Sequence, residues 1–273
     1  MSGWLARGDE EVPAAGAEVG GWLSTAERER LGRLRFRKRR SEFLLRRWTA
    51  KHAVLAVLGA AGGTGEPSAA LARVAVLNRA SGAPYVLLDG APLGVEVSLT
   101  DRAGWAVCLV GDGPDAVGVD LELVEPRSDA FVADFLTTTE ASRVHARPPG
   151  EGPGGRSELA DAVWSAKESA LKVLGTGLRT DTRAVEVTLE EGGPEVGPLG
   201  GPGWRPLTGR HGPTGQVLPG WWRRDGDFVV TTASVRPHDP PALLPTSGDL
   251  ARAVPVEPRP AEPFADVRRR GPG

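Results

Sequence analysis

The segment Val163-Trp-Ser-Ala-Lys-Glu-Ser-Ala-Leu-Lys-Val-Leu-Gly175 decides the fold, because it repeats an earlier segment, Arg47-Trp-Thr-Ala-Lys-His-Ala-Val-Leu-Ala-Val-Leu-Gly59. Seven of the thirteen aligned positions are identical. Each segment has apolar residues at helical spacing and ends at a glycine, which is typical of a helix. A second echo, between Val95–Leu99 and Val185–Leu189, follows each helix and has the alternation of a strand. The repeat predicts an α+β protein of two similar halves related by a pseudo-twofold axis, with its site in the cleft between them.

The turn-forming residues divide the chain into two halves and a tail. A cluster at Gly111–Asp115 predicts the boundary, so that one α+β half covers residues 1–113 and the other covers residues 114–236. Nine prolines stand in the 37 residues of the tail, 237–273. Such a segment is predicted to be disordered, and we expect that its removal at Pro237 leaves activity intact.

The composition excludes several classes of protein. The 273 residues carry 33 basic and 35 acidic side chains, and a net charge of −2 does not mark a nucleic-acid-binding or membrane protein. One cysteine and four histidines exclude a disulfide framework and a Cys/His zinc module. No basic segment followed by an apolar run opens the sequence, so no signal peptide is predicted, and the longest apolar run is too short to span a bilayer. We therefore expect a cytoplasmic protein.

Three carboxylates and a lysine form the candidate reaction centre. Asp120 and Glu122 are two residues apart in a predicted strand, so both side chains leave the same face about 6.5–7 Å apart. Glu168 and Lys172 are four residues apart on the second repeat helix and are neighbours on one face. Taken separately, these residues also fit a solvated strand face and a surface ion pair. If the helix packs beside the strand, three oxygen ligands favour a hard cation, Mg²⁺, and Lys172 is placed to hold a phosphate.

The segment from Arg28 to Lys51 is strongly basic. It contains eleven Arg or Lys residues against two Glu residues. Such a run also fits a solvated helix face or a nucleic-acid-binding surface. Because aromatic residues are only 5% of the chain and the positive charge is confined to one element, a funnel for a polyanionic small molecule fits at least as well.

The two carboxylate motifs resemble those of a known family. Gly118-Val-Asp-Leu-Glu122, followed by Trp164-Ser-Ala-Lys-Glu-Ser-Ala-Leu-Lys172, is similar in residues and separation to the signature pair of the 4'-phosphopantetheinyl transferases of the surfactin-synthetase type. Weaker similarities extend from about Leu23 to Val235 and exclude the tail. They are Glu27–Gly32, Arg46–Lys51, Gly82–Pro84 and Val97–Thr100. The family is also known as a pseudo-dimer of two α+β halves.

The resemblance implies a reaction in which the 4'-phosphopantetheine arm of coenzyme A passes to a serine of an acyl or peptidyl carrier protein, releasing adenosine 3',5'-bisphosphate. By this resemblance, Asp120, Glu122 and Glu168 would hold Mg²⁺ on the pyrophosphate. Glu168 would also take the serine proton, and Lys172 would neutralise charge on the transferring phosphate. The physical chemistry agrees, because phosphoryl transfer requires mainly positioning and stabilisation of charge. No nucleic acid or membrane is an expected partner, and an internal duplication makes a monomer sufficient.

The resemblance also implies a set of coenzyme-binding residues in the first half. The 3'-phosphate would be held by Arg30, Arg33 and Arg47. The adenine end would be held by main-chain groups of the loop Asn78–Pro84. The coenzyme-binding residues carried over from this loop and the following strand are Arg79, Gly82, Ala83 and Ser98.

One position departs from the family. A histidine that contacts coenzyme A usually follows the pair Val97-Ser98, and this chain has Leu99 there. The loss of one charge-assisted hydrogen bond costs about 1.5–3 kcal/mol, and Arg102 in the adjacent turn is a candidate to compensate. Leu99 is the one sequence feature that favours an alternative function, a non-catalytic module that binds coenzyme A or a carrier protein. A nucleic-acid-binding protein is a third alternative and rests on the basic segment.

Overall fold

The computed structural model describes residues 2–13, 19–59, 67–111, 113–191 and 203–256. Helices and strands are mixed along the chain, which confirms the predicted α+β class. The α-helices are α1 (Val19–Trp22), α2 (Thr25–Gly32), α3 (Arg37–Val57), α4 (Pro67–Arg73), α5 (Asp129–Phe135), α6 (Thr138–His145) and α7 (Arg156–Val173). The strands are β1 (Gly3–Gly8), β2 (Val74–Asn78), β3 (Pro84–Leu88), β4 (Ala91–Pro92), β5 (Val97–Arg102), β6 (Trp105–Val110), β7 (Val117–Leu123), β8 (Val185–Leu189), β9 (Arg205–His211), β10 (Val217–Asp225), β11 (Phe228–Ser234) and β12 (Ala242–Leu243). Within these ranges, no helix has the length and apolar character needed to cross a membrane.

The first half packs a long helix on a four-stranded sheet. The strand order is β12-β1-β6-β5, and β1 and β5 are both antiparallel to the central strand β6. α3 lies across β6 and β1, where Ala50 and Val54 share an apolar core with Cys108. A separate sheet, β2-β3-β4, joins the same core. The turn between β2 and β3 contains the loop expected to bind adenine, Asn78–Pro84.

The second half repeats this design with a five-stranded sheet. The strand order is β7-β11-β10-β9-β8, every neighbouring pair is antiparallel, and α7 lies across β7 and β11. The close approach of α7 to β7 requires glycine at position 118, because a Cβ on Gly118 would lie 1.9 Å from the Ser169 carbonyl oxygen. Ala166 and Ala170 are completely buried on the same helix. Small residues therefore allow the helix to lie close to the strand that carries two of the candidate carboxylates.

The two repeat segments are the equivalent helices α3 and α7. Lys51 and Lys167 stand at matching positions in them, and both side chains are completely buried. Lys51 pairs with Glu27 of α2 at 2.7 Å, and Lys167 pairs with Glu140 of α6 at 2.8 Å. Each half thus contains a short helix, a long helix and a buried ion pair between them, which agrees with the predicted duplication.

The second sequence echo is not a structural equivalence. Val187 of β8 donates its N–H to the Glu140 carboxylate, and the residue that does the same to Glu27 is Val76 of β2. The strand equivalent to β8 is therefore β2. The prediction that Val95–Leu99 is equivalent to Val185–Leu189 is wrong. Alternating strands of five residues are common, so a match this short does not identify equivalent strands.

The prediction that the tail, residues 237–273, lacks regular structure is wrong as far as Val256. Ala242–Leu243 forms β12, which pairs in parallel with β1 at the edge of the first sheet. Leu250 is 2% exposed and packs in a core formed by residues of both large sheets. Prolines exclude a helix or a central strand, but a short edge strand and extended chain accept them. Residues 257–273 lie outside the described part of the chain.

The two halves meet where β5 packs against β7. The Val119 N–H donates to the Ser98 hydroxyl at 3.0 Å. Thr100 Oγ1 donates to Asp120 Oδ1 at 3.0 Å. These two bonds hold the first half against the strand that carries the candidate carboxylates.

Candidate active site

The packing of α7 beside β7 brings Asp120, Glu168 and Lys172 together. Lys172 Nζ donates to Asp120 Oδ1 at 2.8 Å and to the Val119 carbonyl oxygen at 2.7 Å. The second oxygen of Asp120, Oδ2, is buried and has no hydrogen-bond partner among the described residues, and the same holds for Glu168 Oε1. Because buried polar atoms are normally paired, two unpaired carboxylate oxygens indicate a site that accepts a cation or a hydrogen-bond donor.

The carboxylates of this cluster repel one another. Burial and the charge of Asp120 raise the pKa of Glu168 to about 7, and Lys172 opposes the shift. Burial and the charge of Asp120 also raise the pKa of Glu122 to about 7. The charge of Asp120 therefore acts on the pKa of both glutamates, and a cation bound among the three carboxylates would relieve their repulsion.

The Glu122 carboxylate is held by an indole and two guanidinium groups. Trp164 Nε1 donates to Glu122 Oε1 at 2.9 Å, and Arg127 Nη2 donates to Glu122 Oε2 at 3.1 Å. Arg102 Nε lies 3.4 Å from the same Oε2 atom. Arg127 is anchored in turn by the buried carboxylate of Asp161. Trp164 was visible as the first residue of the second motif, but no sequence signal indicated its partner or the roles of Arg127 and Asp161.

Mg²⁺ fits the donors of this cluster. The predicted ligands are all carboxylates, which Mg²⁺ prefers, and in the part of the chain that the structure describes Asp120 Oδ2 and Glu168 Oε1 have no hydrogen-bond partner. In the described ranges, no three His, Cys, Asp or Glu side chains are placed to hold a metal ion together, and this includes the predicted trio Asp120, Glu122 and Glu168. An open arrangement agrees with Mg²⁺, which is usually bound by one or two carboxylates and takes its other ligands from water and substrate phosphates. Each Glu122 oxygen accepts one hydrogen bond and keeps a second lone pair, so Glu122 can still bind the metal beside Asp120 and Glu168, with its orientation set by Trp164 and Arg127.

An arginine-lined cleft of about 940 Å³ lies between α2, α3, the β2–β3 turn and β5. Its lining arginines are Arg30, Arg39, Arg46, Arg47 and Arg79. A carboxylate in the lining, Glu27, is completely buried and is paired with Lys51. The cleft therefore has an excess of positive charge, which suits a polyanionic ligand.

Most of the predicted coenzyme-binding arginines face this cleft. The predicted residues that line it are Arg30, Arg47, Arg79 and Gly82. Arg39 and Arg46 also line it, and they were not predicted individually although both belong to the basic segment. A charge count could locate the segment, but the direction of each side chain depends on how α3 packs.

The other predicted coenzyme-binding residues lie elsewhere. Arg33 is exposed at the C-terminal end of α2 and is not in the lining of the cleft. Ala83 is also outside the lining, and its carbonyl oxygen accepts the Arg79 N–H at 2.9 Å, which closes the β2–β3 turn. The Ser98 side chain is buried, and its hydroxyl accepts the Val119 N–H, so this residue joins the two halves.

Strand β5 connects the cleft to the carboxylates. Leu99 lines the cleft, and the next residue, Thr100, donates its hydroxyl to Asp120. Asp101 accepts a hydrogen bond from Arg46 Nη1 at 2.7 Å. The cleft and the carboxylate cluster therefore contact consecutive residues of one strand, on its two opposite faces.

The expectation that Arg102 compensates for Leu99 is wrong. Leu99 and Arg102 are three residues apart in β5 and so face opposite sides of the sheet. Arg102 lines a different groove, of about 660 Å³, and pairs with Glu125 and Glu122. Arg46, which lines the same cleft as Leu99, is the better candidate.

Part of the chain matches the model of one protein family. Residues 116–218 match the model of the 4'-phosphopantetheinyl transferase superfamily, and this range contains all four residues of the candidate reaction centre. No curated protein matches the chain. Among solved structures, the holo-[acyl-carrier-protein] synthase of Thermotoga maritima is similar at 22% sequence identity over 50% of this chain and 74% of that chain, with a TM-score of 0.32. The family match therefore rests on residues 116–218, which contain Asp120, Glu122 and Glu168.

Proposed function

We propose that this chain transfers the 4'-phosphopantetheine arm of coenzyme A to a serine of an apo acyl or peptidyl carrier protein, as a Mg²⁺-dependent enzyme of the surfactin-synthetase type. The observation that carries the proposal is the pair of unpaired buried oxygens, Asp120 Oδ2 and Glu168 Oε1, beside Lys172. They lie next to a cleft whose arginines suit the phosphates of coenzyme A. We further propose that the chain is cytoplasmic. We also propose a monomer, since the two halves of one chain supply both parts of the site.

The cleft would bind the nucleotide end of coenzyme A. Arg30 and Arg47 would hold the 3'-phosphate, and the Asn78–Pro84 turn would present main-chain groups to the adenine. Arg47 is the best prepared of these groups, because it is only 6% exposed and its Nε atom has no hydrogen-bond partner within the described ranges. A small polyanion is favoured over nucleic acid, because these arginines converge in one concave cleft.

The reaction centre would act on the pyrophosphate. Mg²⁺ bound by Asp120 and Glu168, with Glu122 close by, would neutralise the charge of the pyrophosphate oxygens. Glu168 accepts the proton of the carrier serine, directly or through a water, as the serine oxygen attacks the phosphorus atom that carries the pantetheine arm. The bond from that phosphorus to the bridging oxygen breaks, and adenosine 3',5'-bisphosphate leaves with this oxygen. Lys172 stabilises the negative charge on the transferring phosphoryl group.

The proposal is tested with coenzyme A that carries a fluorophore on its thiol. The chain is incubated with this substrate, Mg²⁺ and separate apo acyl and peptidyl carrier proteins, and labelled carrier is measured on a gel. Label on at least one carrier, lost when EDTA is added, supports the proposal. Coenzyme A binding without label on any carrier would favour the alternative, a non-catalytic binding module, which Leu99 in the cleft lining suggests.

A further inference from the structure

The two buried Glu–Lys pairs of the internal duplication are nearly identical in their bonds. Glu27 Oε2 accepts the Ser24 N–H at 2.8 Å, and Glu140 Oε2 accepts the Thr137 N–H at 2.7 Å. The other oxygen, Oε1, accepts a strand N–H in both cases, at 2.9 Å for Glu27 and 2.6 Å for Glu140. Each glutamate thus closes the start of its short helix and connects that helix to a strand.

The lysines are equivalent in the same way. Lys51 Nζ donates to the Trp22 and Leu71 carbonyl oxygens at 2.8 and 3.0 Å. Lys167 Nζ donates to the Thr182 carbonyl oxygen at 3.1 Å and to that of Val185. Every donor of each buried ammonium group therefore has a partner, and the pair in each half is a complete structural unit.

One contact distinguishes the first pair from the second. Arg47 Nε lies 3.9 Å from Glu27 Oε1. The position that matches Arg47 in the second repeat is Val163, a buried apolar residue. The second pair therefore serves the fold alone, whereas the first has a guanidinium group against its carboxylate.

The Arg47 guanidinium is buried with an incomplete set of hydrogen bonds, so a nearby carboxylate matters for it. The group stacks over the Phe43 ring at 4.7 Å, and its Nη2 donates to Asn78 Oδ1 at 2.6 Å. No described residue forms a hydrogen bond with its Nε atom. Burial lowers the pKa of Arg47 to about 10, and the charge of Glu27 opposes this shift. Glu27 thus offsets part of the cost of a buried guanidinium and limits where it can lie.

We infer that Glu27 is a positioning residue of the coenzyme cleft, which holds the Arg47 guanidinium in place for the 3'-phosphate. The inference rests on the proposed function and goes beyond it, because it assigns to one copy of a duplicated structural pair a role that the other copy does not have. Lys51 and the backbone fix the Glu27 carboxylate, and the carboxylate in turn fixes Arg47.

The duplication supplies a matched control for the test. Glu27→Gln and Glu140→Gln remove the same charge from equivalent environments, so both are expected to lower the melting temperature. Only Glu27→Gln is expected to raise the Kd for adenosine 3',5'-bisphosphate, by roughly tenfold, with a raised KM for coenzyme A and a nearly unchanged kcat. Calorimetry measures the Kd in the full-length chain, and equal effects of the two variants, or none, would overturn the inference.

A double-mutant cycle shows whether Glu27 acts through Arg47. In an Arg47→Ala background, Glu27→Gln is expected to lower the melting temperature as before and to leave the Kd unchanged. Additive effects on the Kd would overturn the inference. If the single variants do not fold, Glu27→Gln/Lys51→Met and Glu140→Gln/Lys167→Met replace them, because each removes both charges of its pair.

The same titrations separate this inference from the proposed function. A wild-type chain that does not bind adenosine 3',5'-bisphosphate would overturn both. A wild-type chain that binds it, and whose affinity is insensitive to Glu27→Gln, would overturn the inference and leave the proposed function standing.

Discussion

Replacement of Trp164 by phenylalanine isolates one bond of the proposed metal site. The variant removes the hydrogen bond from Trp164 Nε1 to Glu122 Oε1, which is 2.9 Å long. It retains an aromatic ring where Trp164 packs against Phe131 and Phe135, at centroid distances of 5.3 and 5.0 Å. The chain is therefore expected to fold, and the change should act mainly on the Glu122 carboxylate.

The size of the effect follows from the bond that is lost. A hydrogen bond to a charged group contributes about 1.5–3 kcal/mol, or roughly 10- to 150-fold in an equilibrium constant. Arg127 and Arg102 still hold Glu122 Oε2 in the variant, so the lower end applies. Loss of the indole donor also raises the pKa of Glu122 further, and a proton then competes better with the metal. We expect the Kd for Mg²⁺ to rise about tenfold.

The assay is calorimetric titration of Mg²⁺ into the chain with coenzyme A and without a carrier protein, so turnover does not contribute. Trp222→Phe is the matched control, because Trp222 Nε1 donates at 3.0 Å to the Glu190 carbonyl oxygen, outside the carboxylate cluster. An unchanged Mg²⁺ affinity in Trp164→Phe, or an equal loss in Trp222→Phe, would refute the reasoning.

Three further predictions concern the base, the protonation of the site and the tail. Glu168→Gln is expected to slow carrier modification by about 10²- to 10⁴-fold in single-turnover experiments, while calorimetry still detects coenzyme A binding. Retention of the wild-type rate would exclude Glu168 as the base. Glu122 and Glu168 have pKa values of about 7 in the metal-free chain, and metal binding requires their ionised forms. The Mg²⁺ affinity should therefore rise from about pH 6 to about pH 8, and binding should release protons. The pKa values of Glu122 and Glu168 are higher in the folded chain than in the unfolded chain. Their contribution to the stability of the metal-free fold is therefore complete below about pH 4.5 and is lost as the pH rises through 7. Calorimetry in two buffers of different ionisation enthalpy counts the protons, and a pH-independent affinity would contradict the assignment. Leu250→Ala should lower the free energy of unfolding by about 2–5 kcal/mol, whereas Val254→Ala, at a residue 77% exposed, should change it little. Chemical denaturation compares the two variants, and equal stabilities would show that the tail does not contribute to the core.

The carboxylate motifs could be placed on their elements from the sequence alone. Alternation along β7 predicts that Asp120 and Glu122 share a face, and helical spacing predicts the same for Glu168 and Lys172. Gly118 belongs to the motif for a reason that only the packing reveals, since a side chain there would collide with the backbone of α7.

The supports of the site could not be predicted in this way. Trp164 reaches Glu122 across 42 residues of sequence, and Arg127 reaches Asp161 across 34, so neither contact leaves a local pattern. The direction of Arg46 into the cleft depends on tertiary packing for the same reason.

The tail shows how composition can mislead. Within residues 237–256 the tail forms no α-helix, as its proline content indicates, but a single buried side chain such as Leu250, in a 3-10 turn, is enough to fix this segment onto a core. For this reason a chain shortened to end at Arg236 is now expected to lose stability, whereas a chain that ends at Val256 keeps every contact that the structure shows for the tail.

The most direct test of the central claim is the intact mass of an apo carrier protein after incubation with this chain, coenzyme A and Mg²⁺. The account predicts a gain of one phosphopantetheine per carrier, with an equal amount of adenosine 3',5'-bisphosphate in solution, and a gain that is slower by about 10²- to 10⁴-fold with Glu168→Gln. An unchanged mass for both acyl and peptidyl carriers, under conditions in which the chain binds coenzyme A, would contradict it.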